Sequence, residues 1–235
     1  MSIAYIVNMK EGLEAFIFRE IVELKKMGQH IDLYATKFTH KDYYSSLPNW
    51  YVNKLNLFYI LPSAILTLIY QPQAFIGLLL LAIRYNVLIE FLSACQFSVF
   101  IRIRKNSNIH CHFGDKKLFI GFFCKKLTGK TLTATIHAHE IYANPNKRFF
   151  THIIQHVDEI ISISDTNKRI LEEEYSVDSR KVVVIRLSVD IELFKKKNRI
   201  YVLTVARFVE GKGFRELFEA IKILNNPDLH FIVIG

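Results

Sequence analysis

Strands and helices alternate along most of this chain, and that alternation constrains the fold more than any other feature. SIAYIVN (2–8) is a run of β-branched and aromatic residues and reads as a strand. From Glu14 to Met27 the apolar residues Phe16, Ile17, Ile21 and Leu24 recur at helical spacing, and Gly28 closes the helix. HIDLYAT (30–36) is a second strand. Strand, helix and strand in such a short span make a right-handed βαβ unit.

The same reading continues downstream. NIHCHF (108–113), TLTATIH (131–137), DEIISIS (158–164) and KVVVIRL (181–187) are predicted strands. Helices are predicted over 116–127, closed by Gly129, over 147–157, and from Asp165, as the capping residue, to about Tyr175. Residues 37–54 are polar and irregular. After a charged linker at 195–199, a second βαβ unit follows: strand 200–208, helix 214–224, strand 229–234. The expected fold class is α/β with a mostly parallel sheet. The expected domains are residues 1–197 and residues 198–235. Ligands of such sheets bind at the carboxyl ends of the strands.

Composition narrows the partners. The chain has 235 residues, 51% of them hydrophobic, and a formal net charge of +9. That charge suits an anionic partner. It is scattered and belongs to no recognised nucleic-acid module, which argues against nucleic acid. Cys95, Cys111 and Cys124 lie in apolar runs and read as reduced core residues of a cytoplasmic protein. No leader is visible in MSIAYIVNMKEG. From Leu55 to Ile83 there is no charged residue. Pro62 and Gln71-Pro72-Gln73 are expected to break this run into apolar helices, extending to about Arg104, that pack on the domain or lie at a membrane face.

Two histidine pairs end predicted strands: His110 and His112 in IHCHFGD, and His137 and His139 in TATIHAHEIY. Residues two apart on a strand share a face, so each pair should point one way. A His-x-His on a strand can chelate zinc, but neither HExxH nor CxxC accompanies these pairs. The alternative is a polar cleft lining in which neutral imidazoles donate and accept hydrogen bonds with a hydroxyl-rich substrate.

Five segments occur in order: HCHFGD, TATIHAHEIY, DEIISISDTNKRIL, VVVIRLSVDIELF and VARFVEGKGFRELFEAI. Together they resemble the retaining glycosyltransferases of family 4, whose GT-B fold sets two Rossmann-like domains across a cleft. The resemblance implies that His137 lines the active site near the transferred sugar. It puts Glu140, where the family usually has Asp, with His137 as the catalytic pair. Gly12 and Glu14 match the family's segment before the first helix, and Arg207 and Lys212 match its R-x-x-x-x-K pair; all four are expected at the donor. The physics of Arg207 and Lys212 agrees, since two cations beside a helix start at Gly213 make an anion site. His112, Asp115 and His139 are expected to shape or support the acceptor side, and Asp190 to cap a turn first.

The resemblance implies a nucleotide-sugar donor, a glycan or lipid-linked acceptor in envelope polysaccharide synthesis, and no metal or cofactor. It also implies a place on the inner membrane face, which an apolar patch flanked by cations would provide. Residues 198–235 make only one βαβ unit, without the family's acidic donor-gripping motif. The chain therefore reads as a fragment or as a naturally short chain. A non-catalytic remnant that binds membrane or a partner is the alternative to the enzyme.

Overall fold

The computed structural model describes residues 2–39, 50–187, 201–206 and 208–235. Contacts divide the chain into two compact units, one ending at Leu187 and one beginning at Ser188.

The first unit is built on a seven-stranded parallel sheet. β1 (Ser2–Met9), α1 (Ala15–Lys26) and β2 (His30–Phe38) form the first βαβ unit. There follow β3 (Val52–Lys54), α2 (Leu57–Tyr70), α3 (Pro72–Arg84), α4 (Leu88–Ile103) and β4 (Asn108–His112). Beyond these lie α5 (Lys116–Thr128), β5 (Thr131–Ile136), α6 (Ala138–Tyr142), α7 (Lys147–Ile154), β6 (Glu159–Ser162), α8 (Asp165–Glu173) and β7 (Val182–Val184). The strand order is β3-β2-β1-β4-β5-β6-β7, every pair parallel. This is the parallel α/β sheet expected from the alternation, in the Rossmann-like form that the resemblance implies.

Side chains of β1 alternate between two cores, as strand geometry requires. Tyr5, Val7 and Met9 pack with Ile17, Ile21 and Leu33 on the α1 side. Ala4 and Ile6 face the other way, into a larger core with Phe91, Phe97, Phe119 and Phe123 from α4 and α5. Burial on both faces is why β1 reads as a continuous apolar run. The three cysteines are free and buried, and burial pushes the Cys95 and Cys124 thiols up to about 12.

Three local readings are corrected. β3 falls in the stretch expected to be irregular; only three residues long, it pairs with Leu33, Tyr34 and Ala35 of β2 and carries too short a pattern to stand out. Pro62 does not break its helix. It sits in the second turn of α2, where it forfeits one backbone bond, to the carbonyl of the exposed Phe58. The run does break at Gln71, as expected, and again after Arg84. Ser164, not Asp165, caps α8: its side chain accepts from the Asn167 N–H, and Asp165 pairs with Arg186. No helix among the described residues is long and apolar enough to cross a membrane.

The second unit places β8 (Tyr201–Val205) parallel to β9 (His230–Ile234), joined through α9 (Phe214–Leu224). Asp190 and the 195–199 linker lie outside the described residues.

Gly121 marks the tightest approach of α5 to the sheet. A Cβ there would stand 2.3 Å from Cys111 Sγ and 3.1 Å from Leu132 Cδ1. Gly121→Val should therefore lower unfolding stability by at least about 2 kcal/mol, read as a fall in the urea midpoint. An unchanged midpoint would mean that α5 packs less closely than described.

Candidate active site at the carboxyl ends of β1, β4 and β5

The sheet order reverses direction between β1 and β4, the place where open α/β sheets bind ligands. Three loops converge on that end: Lys10–Leu13 after β1, Phe113–Asp115 after β4, and His137 after β5. Gly12 turns the first loop with φ of 86°, a left-handed conformation that favours glycine, and Glu14 stands at the N-cap position of α1.

His110 and His112 share a face of β4, as expected, with ring centroids 5.9 Å apart. His110 Nδ1 lies 2.8 Å from Thr133 Oγ1 on β5. His112 is buried, yet neither ring nitrogen has a hydrogen-bond partner. Its Nδ1 stands 3.8 Å from Glu20 Oε2, too far for a hydrogen bond. Glu20 in turn accepts from the Tyr5 hydroxyl. Burial pushes the Glu20 carboxyl up, against the lowering pull of that hydrogen bond.

The second pair does not behave as a strand pair. β5 ends at Ile136, and His137 is the N-cap of the short helix α6, so His139 lies in the helix and is exposed. Strand alternation ends with β5, before the second histidine of the pair. The reason is the H-x-x-E spacing: Glu140 Oε2 accepts the His137 backbone N–H at 3.0 Å, and the His137 side chain accepts from the Glu140 backbone N–H. This is a capping box with histidine in the place of Ser or Thr. Glu140 is almost fully buried, and its carboxylate is engaged in this box. Burial raises its pKa, and the backbone bonds lower it.

Nε2 of His137 is buried without a partner; where Nδ1 accepts in the box, the hydrogen of a neutral ring sits on Nε2. Around it stand Phe113 (ring centroids 4.6 Å), His112 (5.2 Å) and Phe16 (5.5 Å). Phe113 holds φ of 79°, strained for a bulky residue, and such strain gathers at functional sites. At Gly114 an added Cβ would meet Phe150 at 2.7 Å and Ile136 at 2.9 Å, so the loop is pressed onto the sheet end. Asp115 caps α5 by accepting the Lys117 N–H at 3.0 Å, and takes the Lys117 ammonium at 2.6 Å. His137 Nε2 and both ring nitrogens of His112 thus lie buried and without partners beside the rings of Phe16 and Phe113.

Glu20, Tyr5, Phe16 and Lys117 were not singled out from the sequence. Glu20 had a signal: it sits on the same stripe as Phe16, Ile17, Ile21 and Leu24, which faces the core. For a cation, Glu20, His110 and His112 offer ligand atoms within 4.8 Å of one another. Two of these three already hold other partners, Thr133 and Tyr5. In the second unit, Lys212 is exposed in a 3-10 turn (Glu210–Lys212), and Gly213, with φ of 70°, caps α9. Arg207 lies outside the described residues.

Burial keeps the site histidines neutral. It lowers His110 to about 4, and lowers His112 and His137 from the ordinary 6.5. The unfolded chain then takes up protons that the folded chain refuses as pH falls below 6.5. Stability should decline from pH 6.5 towards about 4, and His110→Asn should flatten that slope in thermal melts. An unaltered slope would mean that His110 is protonated in the fold.

The family model described as Glycosyltransferase Family 4 matches residues 11–193. No curated protein matches the chain. Similar solved structures include a glycosyltransferase from Rickettsia africae ESF-5, at TM-score 0.65 and 18% identity over 100% of this chain and 60% of that one. The lipopolysaccharide outer core galactosyltransferase WaaB, in apo form, is similar at TM-score 0.64 and 14% identity, over 100% and 61%. HepE of Anabaena, in complex with UDP-glucose, is similar at 0.58 and 13%, over 100% and 69%. At such identities the likeness is one of fold. The chain spans from 60% to 69% of the length of these structures. The match of the family model covers most of the chain, which belongs to glycosyltransferase family 4.

Proposed function

We propose that this chain serves a glycosyltransferase that moves a hexosyl unit from a nucleotide-sugar donor to a glycan or lipid-linked acceptor, with retention at the anomeric carbon. The observation that carries the reading is the buried, unpartnered Nε2 of His137 at the end of β5. A buried donor without a partner costs about 1–3 kcal/mol, and a sugar hydroxyl would satisfy it. His112, one ring away, presents a second imidazole to the same space.

In transfer, the bond from the anomeric carbon to the donor diphosphate breaks, and a bond to the acceptor oxygen forms. Negative charge grows on the departing diphosphate. Lys212 and Arg207 are assigned to that charge, as cations that need no metal. Gly12 and Glu14, in the loop before α1, are assigned to the donor. Glu140 is a positioning residue: through the capping box it fixes the tautomer and direction of His137. His112 and Asp115 are assigned to the acceptor side, Asp115 by fixing the start of α5. His139, exposed on α6, supports from the rim.

Relatives in fold support the donor class. HepE has been crystallised with UDP-glucose and with UDP, and WaaB is a lipopolysaccharide outer core galactosyltransferase. Envelope polysaccharide synthesis in the cytoplasm fits these names and the three reduced, buried thiols.

The test uses two variants of the native protein, assayed by release of nucleotide from a panel of nucleotide sugars with glycan acceptors. His137→Asn keeps a capping oxygen but removes the Nε2–H. It should lower kcat/KM about 100-fold with no change in melting temperature. Lys212→Ala should raise KM for the donor about tenfold. Activity near wild type in His137→Asn sinks the assignment of that side chain.

A further inference from the structure

His112 sits on β4 with both ring nitrogens buried and without a hydrogen-bond partner. A neutral imidazole carries one donor and one lone pair, and leaving both unmet away from water is costly. Two other ligating side chains stand beside it. His110 lies two residues back on the same face of β4, and Glu20 approaches from α1. One ligand atom from each of the three lies within 4.8 Å of the others. Glu20 Oε2 stands 3.8 Å from His112 Nδ1. That is too long for a hydrogen bond. It is close to the separation of two donors on one tetrahedral zinc ion, about 3.4 Å for bonds of about 2.1 Å.

The bonds that Glu20 and His110 already make engage their other atoms. The Tyr5 hydroxyl donates to Glu20 Oε1, which leaves Oε2. Thr133 Oγ1 is 2.8 Å from His110 Nδ1, which leaves Nε2, with the Thr135 hydroxyl 3.4 Å away. A metal centre orients its histidines and carboxylates through such bonds to their far atoms. Among the described residues neither lysine nor arginine is paired with Glu20, so its charge is open to another cation. The Glu20 side chain is 34% exposed and both histidines are buried, which gives an ion a way in along the carboxylate.

We propose that Glu20, His110 and His112 bind one divalent transition-metal ion of the zinc type, through the second oxygen of Glu20 and a ring nitrogen of each histidine. Two imidazoles and a carboxylate are a zinc donor set, with a fourth position left for water. Magnesium and calcium take oxygen ligands and would be poorly served by two nitrogens. The ion would tie α1 to β4 and satisfy the orphaned ring of His112. This departs from the metal-free expectation of the sequence. No step of sugar transfer runs through the ion, and the inference holds whether or not the chain transfers a sugar.

Calorimetric titration with zinc tests it, on the full chain stripped with EDTA and dialysed. One equivalent should bind, and cobalt in its place should show the visible absorption of a four-coordinate ion. Glu20→Gln keeps an acceptor for Tyr5 and removes the charged ligand; it should weaken zinc about 100-fold. His112→Asn should weaken it as much, and Glu20→Gln decides alone where His112→Asn does not fold. Zinc should raise the melting temperature of the wild type and of neither variant. His152 and His156, with rings 5.8 Å apart, offer zinc another place. Undiminished binding in either folded variant would leave the metal to such histidines and overturn the inference. Wild-type protein that takes up neither zinc nor cobalt at micromolar concentration overturns it as well.

Discussion

The pairing of β1 with β4 is the constraint on which the site depends. It joins residues about a hundred positions apart, Ile3 with Asn108 through Ile6 with Cys111. The strands between them in sequence, β2 and β3, lie on one side of the pair, and those after, β5, β6 and β7, on the other. The switch leaves the loop of Gly12 beside the end of β4, so that Glu20 of α1 meets His112. At the opposite end of the strands a polar lock holds the same junction. Asn106, just before β4, donates to Asp32 of β2 at 2.9 Å and accepts from the Tyr34 hydroxyl at 2.8 Å. Arg104 closes on Asp32 at 3.0 Å. Burial raises the Asp32 carboxyl, but the bonds from Arg104 and Asn106 outweigh it and hold the group below its usual value.

The chemistry of the site follows from where this sheet ends. At the tip of β5 the backbone turns into α6, and the first turn of a helix has N–H groups to satisfy. Glu140 and His137 form a capping box there, and Nε2 of the histidine is left buried without a partner. Aromatic walls from Phe16 and Phe113 keep that nitrogen dry and the imidazole neutral. The same desolvation that costs stability at low pH gives the site a hydrogen-bond donor that cannot be lost to water.

Much of this fold was legible because its strands are buried on both faces and its helices are periodic. α1, α5 and α9 fall where spacing and their closing or opening glycines put them. β3 was not legible: three residues hold no pattern. The site was legible in its parts rather than in its arrangement. His112 and His137 were marked by type and position, and they do meet, with rings 5.2 Å apart. That His139 leaves the group was written in the H-x-x-E spacing of a capping box, which competes with strand alternation and wins once the sheet has ended. Glu20 and Tyr5 were hidden because a glutamate on a helix and a tyrosine on a strand are ordinary; only the β1–β4 crossover brings them to the histidines. The outward large side chains of α2 were hidden as well, since an uncharged run does not reveal which side faces the core.

Nitrogen-15 NMR of the histidine rings addresses the central claim, that the capping box presents a neutral His137 with Nε2–H towards the ligand. At neutral pH the His137 resonances should report the Nε2–H tautomer, and its Nε2 signal should move when a bound nucleotide sugar or acceptor supplies the missing partner. A His137 that is protonated, that carries its hydrogen on Nδ1, or whose Nε2 signal ignores every bound ligand would contradict the account.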